Sequence, residues 1–164
     1  MSREITVERV GYVPPERLPV EIVERKGLGH PDYIADSIVE AASRELCRYY
    51  LEHFGRILHH NLDKVLVVGG QSAPRFGGGE VIQPIYILVS GRATTEVVQS
   101  DGSRVSVPVG PLILRAAKKW LSGNFRYLNP DEHVVIDYRI GKGSIDLLDI
   151  FSRASAYPGA NDTS

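Results

Sequence analysis

The spacing of apolar positions predicts a long amphipathic helix near the start of the chain. After Pro31, apolar side chains recur every three to four residues, and Gly55 supplies a stop. The apolar stripe consists of Ile34, Ile38, Ala42, Leu46, Tyr49, Tyr50 and Phe54. Because such a stripe buries one face of a helix, we expect this helix to lie on a sheet.

Two further helices are predicted in the second half of the chain. Pro111 opens the segment "PLILRAAKKWLSG", and Gly123 follows its expected end. Leu112, Ala116 and Trp120 fall on one face of this helix and are expected to point inward. A third helix, "SIDLLDIFSRAS", follows the turn "GKGS".

Alternating and short apolar segments predict the strands. The segment "HVVIDYRI" alternates most clearly and places Val134, Ile136, Tyr138 and Ile140 on one face. The other predicted strands are "ITVERV", "VEIVERK", "KVLVVGG" and "QPIYILVSG", with a hairpin of "TTEVVQ" and "SRVSVPV" around "SDG". The pattern therefore predicts an α+β fold with a mostly antiparallel sheet and helices on one face.

Composition excludes several classes of partner. The 164 residues are about one domain's worth of chain, with 19 basic and 20 acidic residues, so no net field attracts nucleic acid or an anionic membrane. Cys47 is the one cysteine, which excludes a disulfide framework or a thiolate metal cluster within the chain. No segment has the apolar length of a signal peptide or a membrane span. We expect a soluble, cytoplasmic protein.

The stretch "KGLGHPDYIADSI" carries the first candidate site, at the start of the first helix. His30 and Asp32 lie at the positive end of the helix dipole, where backbone N–H groups suit a polyphosphate. Asp32 would repel phosphate unless Mg²⁺ lies between them, and His30 could donate a hydrogen bond to a departing oxygen. The alternative is structural: Asp32 complements the dipole and His30 is only a capping residue.

The segment "GKGSID" is the second candidate site. Glycines after a strand let the backbone approach a ligand closely, and a serine at the start of a helix adds outward-pointing N–H groups. The segment consists of Gly141, Lys142, Gly143, Ser144, Ile145 and Asp146. It matches neither a Walker loop nor a dinucleotide fingerprint, and an ordinary strand-to-helix turn remains the alternative reading.

A glycine-rich segment lies between two predicted strands. The sequence "GGQSAPRFGGG", residues 69–79, has few side chains that could anchor it, so ordering it costs much conformational entropy. We expect a flexible hairpin that a ligand or partner would order. Arg75 could reach a phosphate there, although an arginine in such a loop is more often solvated.

Four long blocks give the chain a resemblance to a known family. "VERKGLGHPDYIADSI", "HHNLDKVLVVGGQSAPRFGGGEVIQPIYILVSGRAT", "IGKGSIDLLDIF" and "ANDTS" resemble the archaeal type of S-adenosylmethionine synthetase, also called methionine adenosyltransferase. Compared with the bacterial and eukaryotic members, Tyr33 replaces the usual lysine after "GHPD", and Gln71 stands near a potassium-binding glutamate. The resemblance therefore gives no support to a potassium requirement.

The resemblance implies both a reaction and a set of site residues. Methionine sulfur would attack C5′ of ATP and expel triphosphate, which is hydrolysed to diphosphate and phosphate before release. By similarity, His30 would stabilise the departing triphosphate, Asp32 would bind Mg²⁺, and residues 141–146 would form the ATP-binding loop. The substrate's own sulfur is the nucleophile, so catalysis would rest on positioning and electrostatic stabilisation.

The resemblance also implies that the family's site is larger than this chain. Members of the family are longer, have three similar α+β subdomains, and form their active sites between two subunits. Residues 1–164 are therefore expected to be an N-terminal portion that forms homodimers but is inactive alone. The alternative is a non-catalytic nucleotide-binding or dimerisation module that keeps the fold.

Overall fold

The computed structural model describes residues 5–9, 11–98 and 101–142. Within them, the chain forms three α-helices, one short 3-10 turn and seven strands. In chain order these are the turn Pro15–Arg17, α1 (Pro31–Phe54), β1 (His60–Val68), β2 (Gln71–Arg75), β3 (Gly78–Gln83), β4 (Ile85–Ala93), β5 (Glu96–Val98), β6 (Arg104–Ser106), α2 (Val109–Asn124), α3 (Pro130–His133) and β7 (Val134–Gly141). The predicted α+β class is confirmed.

A three-stranded sheet in the order β1-β4-β7 forms the centre of the molecule. Strand β1 is antiparallel to β4, and Val65 lies opposite Val89. Strand β7 is parallel to β4, with Val89 opposite Tyr138, so the sheet is mixed rather than uniformly antiparallel. The chain from β4 to β7 passes through α2, because parallel neighbours need a long crossover. Helix α1 contacts β1 and α2 contacts β7.

Helix α1 carries the predicted apolar stripe into the core. Ile38, Ala42, Leu46 and Tyr50 have no exposed surface, and Ile34 is 9% exposed. The helix ends where Gly55 adopts a left-handed conformation with φ 69° and donates its N–H to the carbonyl of Leu51 at 3.0 Å.

Helix α2 is longer than its sequence pattern predicts. It begins at Val109, two residues before Pro111, and Gly123 lies inside it rather than after its end. Pro108 caps this helix and accepts the backbone N–H of Leu112 at 3.1 Å. A proline can occupy any position of the first turn, whose N–H groups have no helical partner, so Pro111 does not fix the first residue.

Two small hairpins accompany the central sheet. Strands β5 and β6 pair antiparallel as predicted from "TTEVVQ" and "SRVSVPV", with Val97 opposite Val105. Strands β2 and β3 form a separate antiparallel pair in the glycine-rich region, and every residue of both strands is exposed. This hairpin extends to Gln83, beyond the predicted segment 69–79, and its mobility remains a prediction.

Two predicted strands are wrong. "ITVERV" and "VEIVERK" form neither strand nor helix within residues 5–9 and 20–26. Their apolar side chains are exposed, at 89% for Val7 and 92% for Ile22. A strand needs a neighbour for its backbone groups, and the described residues provide none for these segments.

The third predicted helix, residues 144–155, lies outside the described residues. Among the described residues, no helix combines the length and apolar character that crossing a membrane requires.

Candidate functional site

The "GHPD" turn begins helix α1 and orients both of its polar side chains. His30 is the N-cap, and its Nδ1 accepts the backbone N–H of Asp32 at 3.1 Å. Pro31 fills the first helical position. Because Nδ1 is an acceptor, Nε2 carries the ring proton of neutral His30 and can donate to a ligand. The capping role predicted as the structural alternative is therefore present, and it leaves one donor free for chemistry.

Asp32 forms an ion pair with Lys26, which lies six positions before it in the chain. The Lys26 ammonium donates a hydrogen bond to Oδ2, and this bond and its positive charge lower the pKa of Asp32 below the usual carboxyl range. The two side chains are 53% and 59% exposed, so both remain accessible to a ligand. The Asp32 carboxylate is ionised and already paired with the Lys26 ammonium.

A cleft of about 320 Å³ opens beside Asp32, between α1 and β1. We call it the aspartate cleft; its lining is Lys26, Asp32, Ala35, Asp36, Val39, Asp63 and Val65. Asp63 accepts a hydrogen bond from Lys64 at 2.6 Å, which lowers the pKa of its carboxyl group. The lining therefore includes three acidic residues and one lysine, and two of the three carboxylates are already paired with lysines.

The carboxylate oxygens of this cleft suit a hard cation such as Mg²⁺ when substrate phosphates supply its other contacts. Within the described residues, no three His, Cys, Asp or Glu side chains are arranged as a metal-ligand set. Mg²⁺ does not need such a set, because one or two carboxylates hold it together with substrate phosphates and water. Asp32, exposed at a helix N-terminus, fits that pattern.

The second candidate segment lies at the opposite edge of the sheet. Gly141 ends β7 and lies opposite Arg92 of β4, while Asp32 lines the same cleft as Val65 of β1. Two strand spacings, about 10 Å, separate β1 from β7. The structure thus brings His30 and Asp32 together but does not place Gly141 beside them. Lys142 is exposed, and Gly143, Ser144, Ile145 and Asp146 lie outside the described residues.

The glycine-rich hairpin forms one wall of a wide cleft of about 960 Å³. The opposite wall comes from the end of α2 and the loop that follows it, including Phe125, Tyr127 and Leu128. An aromatic contact chain leads from there to the start of α1: Phe125 packs on Trp120 at a ring-centroid distance of 5.8 Å, and Trp120 contacts Tyr33 at 6.3 Å. Arg75 is exposed at the end of β2.

Sequence reasoning missed Lys26, Asp36 and Asp63 as members of the cleft. Lys26 opens the "KGLGHPD" stretch, and the two glycines after it allow a turn back toward the helix. This spacing was the feature of the sequence from which the approach of Lys26 to the helix could have been predicted. Asp63 had none, because its position beside α1 depends on how β1 docks against the helix.

Comparison with known proteins gives a consistent result. The family model of S-adenosylmethionine synthetase (AdoMet synthetase) matches residues 3–164. Proteins named S-adenosylmethionine synthase match the chain at 64% identity in Aeropyrum pernix, 60% in Caldivirga maquilingensis and 55% in Sulfolobus acidocaldarius. Each match covers the whole chain but only 40%, 41% and 40% of the relative, respectively.

The predicted resemblance is thereby confirmed, including its archaeal character and its restriction to an N-terminal portion of the relatives. The match extends across the aspartate cleft, the glycine-rich hairpin and the segment after β7. The chain belongs to the S-adenosylmethionine synthetase family.

Proposed function

We propose that this chain is part of an enzyme that forms S-adenosylmethionine from L-methionine and ATP. The observation that carries the proposal is the family match across residues 3–164. The exposed His30 and Asp32 at the start of α1 give that match a chemical site. In the proposed reaction, methionine sulfur bonds to C5′ of ATP as the C5′–O bond breaks and triphosphate leaves. The triphosphate is then hydrolysed to diphosphate and phosphate.

Asp32 is the proposed ligand for Mg²⁺ that accompanies the nucleotide. The bound metal would neutralise charge on the phosphate oxygens. Asp32 is suited to this role because its carboxylate is ionised at neutral pH and exposed at the start of α1. Asp63, in the same cleft, is already neutralised by Lys64, so the metal contact is assigned to Asp32 alone.

His30 is proposed to act on the leaving group. Its Nδ1 is occupied by the backbone N–H of Asp32, so the ring is held with Nε2 as the donor. A donor fixed in this way stabilises charge that develops on the triphosphate oxygen as the C5′–O bond breaks. Residues 141–146 are the proposed ATP-binding loop, as the resemblance implies.

A homodimer is proposed through the open face of the central sheet. The residues opposite one another there are apolar: Leu66 lies opposite Leu88, and Val68 lies opposite Tyr86. Val135 of β7 continues this patch next to Tyr86 and is 47% exposed. The occupant we propose is a second copy, because the separation of Asp32 from Gly141 favours a site completed by a partner subunit.

The 164-residue chain is proposed to be inactive by itself. Desolvating a triphosphate requires several matched cations. The residues assigned to the site supply His30, Lys26 and Lys142, which is too little positive charge for a triphosphate. Methionine and ATP converted at an ordinary enzymatic rate by a sequence-verified sample of this chain would contradict the proposal.

The metal role is tested by calorimetry of ATP binding with and without Mg²⁺, comparing the chain with Asp32→Asn. The substitution keeps the shape of the side chain and removes the charge. We expect Mg²⁺-dependent binding that weakens about tenfold or more in the variant, since a charge-assisted contact is lost. Asp36→Asn is the matched control in the same cleft. Equal Mg²⁺ dependence in the chain and Asp32→Asn would contradict the assignment.

The His30 role requires turnover, so it is tested in a full-length relative that carries this segment. His30→Ala should lower kcat by about 10²-fold or more and change ATP affinity less, because the donor acts on charge formed in the transition state. Equal losses in kcat and in ATP affinity would show ground-state binding instead.

A further inference from the structure

Lys26 is the one basic side chain among the residues that line the aspartate cleft. It also lines a second cleft, of about 410 Å³, formed by Arg25, Lys26, Gly27, Leu28 and Tyr33. Lys26 therefore lines two open volumes near the start of α1. One ammonium group can serve either volume without a change in the fold.

The ion pair with Asp32 occupies the carboxylate proposed to hold Mg²⁺. Lys26 is bonded to Oδ2 of Asp32, so a divalent cation that binds this carboxylate competes with the ammonium, and repulsion between the two cations favours its displacement. The displaced ammonium would then lie within reach of the anion that accompanies the cation. At the amino end of α1, that anion also meets the positive pole of the helix.

We infer that Lys26 is an exchange residue: it neutralises Asp32 before the nucleotide binds and pairs with the polyphosphate once Mg²⁺ holds Asp32. This inference rests on the proposed function of Asp32. Before the nucleotide binds, Lys26 positions the Asp32 carboxylate; after it binds, Lys26 contacts the phosphate groups. Its flexible four-carbon stem and point charge suit it to such a move better than a planar guanidinium would.

The inference predicts effects of opposite sign for the two ligand components. Replacing Lys26 by Met removes the competing charge from Asp32, so a free divalent cation should bind about two- to fivefold more tightly, the range of an exposed ion pair. The same substitution removes a charge-assisted contact to phosphate, so Mg²⁺–tripolyphosphate should bind about tenfold more weakly. A residue with a merely structural role would not produce opposite signs.

The experiment uses the 164-residue chain and two probes. Mn²⁺ alone, followed by electron paramagnetic resonance, reports cation binding, and calorimetry with Mg²⁺–tripolyphosphate reports anion binding. Arg25→Met is the matched control: it removes the same charge one residue away, from a side chain that lines only the second cleft among the two. Lys26→Arg should restore most of the tripolyphosphate affinity, because the charge is kept.

The outcomes separate this inference from the function on which it rests. Asp32-dependent binding of both probes, with tighter Mn²⁺ and weaker tripolyphosphate binding in Lys26→Met alone, supports it. Asp32-dependent binding with no change in Lys26→Met, or with the same changes in Arg25→Met, overturns the exchange role and leaves Asp32 as the ligand. Binding that is unaffected by Asp32→Asn overturns both. Circular dichroism of each variant confirms that the fold is retained.

Discussion

Strand β7 and residues 20–26 share an alternating apolar pattern but have different structures. Both carry apolar residues at alternate positions, in "HVVIDYRI" and "VEIVERK". Val134 of β7 is 7% exposed, and the rest of its inward face is half-buried against α2. Ile22 is 92% exposed, and residues 20–26 form no strand. Alternation therefore indicates a strand only where a neighbouring strand and a covering layer are both present.

The largest effect should come from removing a side chain from the packed region. Ile87 of β4 is 1% exposed, so Ile87→Ala should lower the free energy of unfolding by about 2–5 kcal/mol, the range for a buried large-to-small change. Ile22→Ala makes the same chemical change at an exposed position and should stay within about 0.5 kcal/mol. Urea unfolding of both variants measures the contrast. Equal losses would mean that residues 20–26 pack in solution.

A smaller effect should come from adding one carbon where α2 meets β7. A Cβ on Gly110 would overlap the ring of Tyr138, so Gly110→Ala forces the ring to move. We expect a loss of about 1–3 kcal/mol from overpacking. Gly123→Ala in the same helix meets nothing within 4 Å and should be neutral or stabilising by up to about 1 kcal/mol. Thermal unfolding of the pair decides whether α2 packs as closely as described.

The smallest effect at neutral pH should come from Tyr50, which joins α1 to the chain just after β4. Its hydroxyl donates to the carbonyl of Thr94 at 2.9 Å, so Tyr50→Phe should cost about 1 kcal/mol. Burial raises the pKa of Tyr50 to about 12.

The pH dependence of this contribution has a definite sign. The raised pKa favours the neutral phenol in the folded state, so its contribution is fully present below the unfolded pKa of about 10. It is lost as the pH rises from there through the folded pKa, about 12. Over this pH window, the free energy of unfolding of the native chain should therefore fall by on the order of 2 kcal/mol more than that of Tyr50→Phe. Parallel alkaline profiles for the two proteins would contradict the assignment.

Much of the packed region was predictable from local pattern. The stripe from Ile34 to Tyr50 specified which face of α1 is buried, and Gly55 specified where the helix ends. The alternation of "HVVIDYRI" specified the inward face of β7. These features depend on side-chain spacing and on backbone conformations that particular residues favour, so the sequence carries them directly.

The candidate site was predictable only in part. His30 and Asp32 could be placed at a helix N-terminus because Pro31 suits the first helical position. The Lys26 ion pair and the approach of Asp63 could not, because both depend on contacts between separate elements. The parallel direction of β7 was missed for a similar reason: alternation reports faces, not the direction of the neighbouring strand.

By itself, the sequence determined the family, the buried faces of α1 and β7, and the position of His30 and Asp32 at the start of α1. Only the tertiary structure decided that residues 20–26 form no strand, that β7 runs parallel to β4, and that Lys26 forms an ion pair with Asp32. The physical reason is that periodicity and caps act within one element. Pairing, register and ion pairs between segments depend on where the rest of the chain places their partners.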